Sequence, residues 1–381
     1  MRRLIAVISA IVFLDAMLFG ALIPLVPAYV DDFDLNKLQA GMLVGAFGAG
    51  AVLGGIPGGI VAGRVGPKNA VISGLLLLAF ATFGLALADS PETIGIARFL
   101  QGLSSSLTWA GALSWVTVST PRALRGQLLG TVFGVAVLGA ILGPMVGAIA
   151  KIVGLRAGFT GIGLIALLLA VAALLQPRPG TEHIERGAVR RALADPAFVA
   201  GLWLNALPAL FFGVLDVLAP LALDAGGYGA VAIGAVFLAA GLIETALNPL
   251  LGRLSDRRGR LLPIRWALSA SIVVGILLAF ADEPAAIALL AIAGALSFGG
   301  FYTPGIALVS DRAERAALAQ GLAFGVMNTA WAAGALVGPT LGGGLADLFG
   351  DAAPYLLCSF LCAVTLVTIS MRVRTRPPAV G

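Results

Sequence analysis

The sequence predicts an all-α membrane protein. It reads as twelve transmembrane helices in two pseudosymmetric six-helix bundles, 1–176 and 197–381, joined by a polar linker at 177–196. Three observations predict this: scarce charge, a succession of apolar runs, and an internal repeat. Of 381 residues, 59% are hydrophobic, 7% aromatic and 11% charged, and the mean hydropathy is +1.02. A soluble chain carries about 25% charge, so this surface cannot be solvated by water. Disorder is excluded by the same numbers, because it requires low hydrophobicity.

A spanning helix needs roughly 20 mostly apolar residues. Runs bounded by charged or Pro/Gly breaks lie near 4–29, 38–62, 69–88, 93–118, 127–150, 157–176, 197–222, 230–251, 262–281, 285–309, 317–345 and 353–371. The first holds Asp15 and ends around Pro24 and Pro27. Its apolar run is too long, and lacks the small-residue site, for a cleaved leader. The second closes in the basic turn Gly59 to Lys68, which contains Arg64 and Gly66. The third is uniformly apolar. The fourth follows Pro91 and carries Arg98, Gln101, Ser105, Thr108 and Trp109. The fifth is lined by Gly139, Gly143 and Gly147, with Pro144 inside it. After the sixth comes the longest polar stretch, Gln176 to Pro196, with the chain's single histidine, His183. Span seven contains Asp216. Span eight contains Glu244 and Asn248 and ends in the turn Gly252, Asp256, Arg257, Gly259. Span nine is apolar, span ten holds Phe301, Tyr302 and Thr303, span eleven holds Asn328 and Trp331, and span twelve holds Cys358 and Cys362 as packing or lipid-facing residues.

An even number of spans puts both termini on one side. The outer loops then hold only Lys37, Lys151 and Arg156, Arg98 lies within a span, and the other 20 of the 24 basic residues face inward. Positive charge marks the cytoplasmic side, so an inner (plasma) membrane protein with both termini cytoplasmic is expected. The net charge of +5 reflects this orientation, and nucleic acid is not an expected partner.

The repeat supports the two halves. An offset of 193 carries Phe19, Gly20 and Pro27 onto Phe212, Gly213 and Pro220. It also carries Gly59, Arg64 and Gly66 onto Gly252, Arg257 and Gly259. An offset of 195 carries Gly126, Gly130, Gly139, Gly143, Pro144 and Gly147 onto Gly321, Gly325, Gly334, Gly338, Pro339 and Gly342. Duplicated halves place a substrate cavity between them near the bilayer midplane.

Charges inside spans cost several kcal/mol on insertion scales unless they face protein or water. Arg98, Gln101, Ser105 and Thr108 fall at i, i+3, i+7 and i+10, so one helix face should line a cavity. The competing reading is an arginine snorkelling to the interface, since it lies roughly 10 Å past Pro91. Asp15 lies roughly 15 Å into span one and Glu244 roughly 12 Å from the inner end of span eight. Asp216, near the outer end of span seven, has an interfacial alternative. Burial favours the neutral form of an acid and a neighbouring cation the charged form. An acid that alternates between such settings can load and release a proton. Asp15 is the first candidate and Glu244 the second. Glycines every four residues form a groove for close helix contact, and Pro144 removes a backbone hydrogen bond. Ordinary membrane packing would explain a lone pair of them. Trp109, Phe301, Tyr302 and Trp331 could meet an organic cation through their ring faces or simply pack.

With these residues in view, the chain resembles the major facilitator superfamily over essentially its whole length. The loop from Gly59 to Lys68 is similar to that family's gating motif, with Gly63 where an Asp is expected; the copy from Gly252 to Arg260 keeps Asp256. The resemblance implies a latch holding the outward-open state, weakened on the first side. Arg98-Phe99-Leu100-Gln101-Gly102 resembles the motif implying proton coupling or substrate contact. Gly139 to Gly147 resembles the antiporter motif of drug:proton exchangers. Asp15 with Pro24 and Pro27, and the run from Arg98 to Ser105, resemble the vesicular amine transporter branch. That branch's acids in helices ten and eleven are absent, so monoamine specificity does not carry over.

The expected function is secondary active transport by alternating access, with proton-coupled efflux of small cationic or lipophilic organic compounds. The alternative is an importer or facilitator of a sugar or other metabolite. No catalytic constellation, Gly-rich phosphate loop or His/Cys cluster is present, so no enzyme activity, cofactor or metal is expected. Proton-coupling candidates are Asp15, Glu244 and Arg98. Substrate candidates are Asp15, Arg98, Gln101, Ser105, Trp109, Asp216, Glu244, Asn248, Tyr302, Asn328 and Trp331. The expected partners are the lipid bilayer, the small-molecule substrate and protons, and the protein should be a monomer.

Overall fold

The structure is a computed structural model that describes residues 2–178, 187–258, 261–316, 318 and 320–374. These residues form helices: α1 (Arg2–Gly20), α2 (Val26–Phe33), α3 (Lys37–Val65), α4 (Pro67–Ala86), α5 (Pro91–Ser119), α6 (Arg122–Val153), α7 (Leu155–Leu174), α8 (Ala188–Leu193), α9 (Pro196–Ala225), α10 (Ala230–Arg258), α11 (Leu261–Ala279), α12 (Pro284–Gly299), α13 (Tyr302–Arg315), α14 (Gln320–Phe349) and α15 (Ala352–Arg374). Among the described residues, ten helical stretches are long and apolar enough to cross a membrane. The two remaining spans of the sequence reading correspond to α5, whose polar stripe sets it apart, and to α12 with α13.

Local chemistry sets the boundaries. Asn36 caps α3 and exchanges a second bond with Gln39, and Ser90 caps α5 reciprocally with Thr93, each satisfying amides that the first turn leaves free. Gly66 at φ +90° separates α3 from α4, and Gly154 at φ +94° separates α6 from α7, a backbone region where a side chain is strained.

Span one is broken between Gly20 and Val26 by a short 3-10 turn, Ile23–Leu25. Pro24 and Pro27 lack the N–H groups a continuous helix requires. Span ten, expected as one run over 285–309, is also broken: α12 ends at Gly299 and α13 starts at Tyr302. Two adjacent glycines have poor helix propensity, and Pro304 offers no donor to the carbonyl of Gly300.

Packing reproduces the repeat. A Cβ on Gly139, Gly143 or Gly147 of α6 would strike the carbonyl oxygens of Phe13 and Met17 on α1 and of Ala21 just after it. A Cβ on Gly334, Gly338 or Gly342 of α14 would strike Ala206, Leu210 and Val214 of α9. Each pair maps onto its counterpart by the sequence offsets, so both copies use small residues to bring backbones together. The two copies also meet each other by equivalent contacts. Gly41 and Gly48 of α3 approach Pro339 and Leu336 of α14, while Gly234 and Gly241 of α10 approach Pro144 and Ile141 of α6. The linker helix α8 buries Ala188 and Ala192 against Phe198, Val309, Ala313 and Leu318. Large exposed apolar side chains such as Phe80 and Leu168 cover the outside, as lipid-facing surface requires. Cys358 and Cys362 are fully buried.

Candidate functional site

The polar interior is built where α1 crosses α5. Asp15 is 2% exposed. Its Oδ2 accepts hydrogen bonds from Ser105 Oγ at 2.6 Å and Trp109 Nε1 at 2.8 Å. Ser105 and Trp109 are one helical turn apart, so α5 presents both donors to one carboxylate. Oδ1 of Asp15 accepts no hydrogen bond among the described residues.

Two turns earlier on α5, Arg98 is 1% exposed. Nη1 donates to the carbonyl of Leu18 at 3.0 Å and to Gln101 Oε1 at 3.1 Å, and Nη2 donates to the carbonyl of Phe19 at 3.2 Å. The guanidinium also lies over the Phe47 ring, 5.0 Å from its centroid. These carbonyls belong to the end of α1, where the helix is interrupted and its last acceptors lose helical partners. Arg98 therefore does not snorkel: it is enclosed by protein and clasps the broken first span. Its charge is felt by Asp15 and, from α9, by Asp216.

The expected single polar stripe on α5 divides in two. Gln101 Nε2 donates to Thr82 Oγ1 on α4 at 3.2 Å, and Thr108, fully buried, lies against Gly74 of α4. At about 100° per residue, i+7 returns almost to the starting azimuth while i+3 and i+10 fall roughly 60–80° away. Arg98 and Ser105 accordingly reach α1, and Gln101 and Thr108 turn to α4.

Two aromatic groups connect the repeats. Phe19 lies edge-on to Phe47 at 5.2 Å and to Trp331 at 5.0 Å, beside Arg98. Trp109 packs on Phe133 at 5.5 Å, and Phe133 on Phe324 at 5.4 Å. Phe301 belongs to neither. It is fully buried beside Phe298, which stacks on Phe211 at 3.7 Å, so it is a packing residue of the second repeat.

Asp216 is 6% exposed, enclosed by the protein. Glu244 is half-buried elsewhere, against the break in span ten. A Cβ on Gly299 would stand 2.6 Å from its Cδ, so glycine there makes room for the acid. Tyr302 opens α13 at the same break. Asn328 is half-buried on α14 between Phe324 and Trp331.

In the loop from Gly59 to Lys68, Gly59 is buried beside Leu322 and Arg64 is exposed, with no ion pair among the described residues. Lys68 donates to the carbonyl of Leu174 at 2.7 Å and to that of Gln176, capping the end of α7, where a cation is favoured. In the second loop, Gly252, Asp256 and Arg257 lie on the α10 backbone. The side chains of Asn248, Asp256 and Arg257, and all of Gly259, lie outside the described residues.

Sequence reasoning missed several residues here. Thr82, Phe47, Phe133 and Phe324 carry no motif; only their approach to named residues marks them. Asn205 is 1% exposed and donates to the carbonyl of Met327 at 3.0 Å. At the start of α3, Asp347 of α14 accepts from the backbone amides of Lys37 at 3.2 Å and Leu38 at 2.8 Å, and Lys37 ion-pairs with Asp351. Asp347 answers the free amides at the start of α3 and Asp351 the Lys37 ammonium, partners no local pattern reveals.

Comparison with known proteins agrees with this architecture. A family model described as Major Facilitator Superfamily matches residues 8–324. The quinolone resistance protein NorA of Staphylococcus aureus (strain COL) is 24% identical over 99% of this chain and 98% of its own. Multidrug resistance protein 2 of Bacillus subtilis (strain 168) is 23% identical over 96% of this chain and 94% of its own. Among solved structures, the nucleoside transporter NupG superposes with a TM-score of 0.75 at 14% identity, covering 97% of this chain and 99% of that one. A bacterial homolog to the human lysosomal transporter Spinster, in an inward-facing occupied conformation, gives 0.76 at 16% identity, covering 98% and 96%.

Proposed function

The chain belongs to the major facilitator superfamily and is a secondary transporter embedded in a membrane; on that premise, we propose that it exports small cationic or lipophilic organic compounds in exchange for protons. The observation that carries this reading is the Asp15 carboxylate. It is buried, held on one oxygen by Ser105 and Trp109, and left with an unpartnered second oxygen. Such a group cannot stay charged and uncompensated in a dry interior. A proton on Oδ1 or an organic cation near it would each satisfy it, and the two exclude one another. Competition for one carboxylate is the requirement of antiport: the proton enters from outside, displaces the substrate outward, and leaves to the inside when the next substrate binds.

Several observations support this reading. Arg98 supplies a fixed positive charge two turns away. Asp216 brings a second carboxylate from the other repeat toward it. Aromatic faces at Trp109 and Trp331 suit a cationic or flat apolar compound. Gln101, Ser105, Tyr302, Asn328 and Asn248 complete the proposed substrate contacts, with Glu244 as the second proton site. The two relatives are named for quinolone and multidrug resistance, which favours export of drug-like molecules. The distribution of basic residues supports cytoplasmic termini in an inner membrane, and the protein is proposed to act as a monomer.

The test uses the purified protein in proteoliposomes with an imposed pH gradient and a fluorescent organic cation. Asp15→Asn should abolish pH-driven movement while leaving the protein folded. Undiminished coupling in both Asp15→Asn and Glu244→Gln would refute the assignment.

A further inference from the structure

The Asp15 bond to Trp109 continues into a contact between the two repeats. Trp109 packs on Phe133 of α6 with ring planes 38° apart, and Phe133 packs on Phe324 of α14. Phe324 is four residues into α14 and one turn before Asn328. Trp109 is ten residues from the end of α5 at Ser119, about 15 Å at 1.5 Å per residue. By the orientation of the basic loops, these rings lie on the cytoplasmic side of the polar interior. The outer side is closed by different chemistry, the Asp347 and Lys37 bonds described above. Asp15, Arg98 and Gln101 lie between the two closures, all nearly solvent-free.

We propose that Phe133 and Phe324 form the inner gate and that the Trp109 indole ties its closure to the occupancy of Asp15. The inference rests on Asp15 being the coupling site. A charged carboxylate is the stronger acceptor for the indole N–H. While Oδ2 holds that N–H, the indole plane is fixed and backs Phe133 against Phe324. When a proton neutralises Asp15, the bond weakens, the indole is free to turn, and Phe133 loses its support; an organic cation paired with Oδ1 leaves the carboxylate charged and the indole held. The charged group facing Asp15 is Arg98, on the same helix as Trp109; Asp216 of α9 lies in turn near Arg98. Phe133 and Trp109 are therefore positioning residues, and the link gives the transporter a direct path from its ion site to its cytoplasmic entrance.

The experiment reads gate opening separately from transport. In full-length protein carrying Cys358→Ala and Cys362→Ala, Asn328→Cys places one thiol just behind Phe324. Labelling by a membrane-impermeant maleimide is followed in inside-out vesicles. An aromatic pair is worth about 0.5–1.5 kcal/mol beyond its buried area, so Phe324→Ala should raise the labelling rate roughly two- to tenfold. Trp109→Phe keeps a ring and loses the N–H; it should raise labelling similarly, as should Asp15→Ala. Asp15→Asn, neutral like the protonated acid, should raise labelling as well, with pH-driven transport lost. Phe324→Leu, the milder change, should fall between reference and Phe324→Ala. Reference-level labelling in both Phe324→Ala and Phe133→Ala would overturn the gate. Raised labelling in Phe324→Ala with none in Trp109→Phe would overturn the indole link. If Asp15→Asn still couples, the functional reading fails, and the labelling rates still judge the gate.

Discussion

Replacing Gly143 by alanine should unseat α1. A Cβ there would stand 2.5 Å from the carbonyl oxygen of Met17 and 3.0 Å from the Cα of Gly20. Both are backbone atoms of the span that carries Asp15, so no rotamer change can relieve the contact. Overpacking of this kind costs about 1–3 kcal/mol. Alanine also gains about 1 kcal/mol over glycine in a helix interior, which would blur the result if Gly143→Ala were compared with the native protein. Gly130 supplies the control: it lies on the same helix and a Cβ there would meet nothing within 4 Å. The propensity gain is common to both substitutions, so Gly143→Ala should be about 1–3 kcal/mol less stable than Gly130→Ala, roughly a 5- to 150-fold difference in the unfolding constant. The assay is reversible unfolding in detergent micelles, followed by tryptophan fluorescence. Equal stability of the two variants would refute the close approach of α6 to α1. The pseudosymmetric counterpart Gly338→Ala, facing the Leu210 carbonyl, should show a deficit of similar size.

Other outcomes follow from the same geometry. Arg98→Lys keeps the charge but cannot span the Leu18 and Phe19 carbonyls and Gln101 at once. Losing one charge-assisted bond should cost about 1.5–3 kcal/mol in the same unfolding assay and reduce transport. Asp347→Ala leaves the amides of Lys37 and Leu38 without their cap and should cost about 0.5–2 kcal/mol. It should also raise labelling of an outward-facing thiol, while Asp347→Asn, which keeps an acceptor, should lose less. Lys68→Ala should lower stability by no more than about 1 kcal/mol, since it removes a C-terminal cap from α7, and should leave the pH dependence of transport unchanged.

Much of this molecule is legible without coordinates because the bilayer makes the code local. Each span must be apolar for a fixed length and must satisfy its own backbone, so hydropathy located α3, α9 and α15 to within a few residues. The glycines at 139, 143 and 147 announce a close helix neighbour because they lie on one face. The duplication also names the matching neighbour at 334, 338 and 342.

The sequence by itself therefore determined the all-helical membrane fold, the repeat, the buried acids and the surfaces built for close contact. Tertiary structure alone decided which partner each group meets. It gave Asp15 to Trp109 and Ser105, and Arg98 to the loose carbonyls of α1. It turned Gln101 and Thr108 away toward α4, moved Phe301 into packing, and set Asp347 on the start of a helix 310 residues earlier in the chain. The physical reason is one of range. Hydropathy and helical periodicity fix a residue's depth and face within its own span, whereas a hydrogen bond near 2.8 Å or a ring contact near 5 Å depends on how two separate helices are rotated and spaced, and no stretch of either helix encodes that alone.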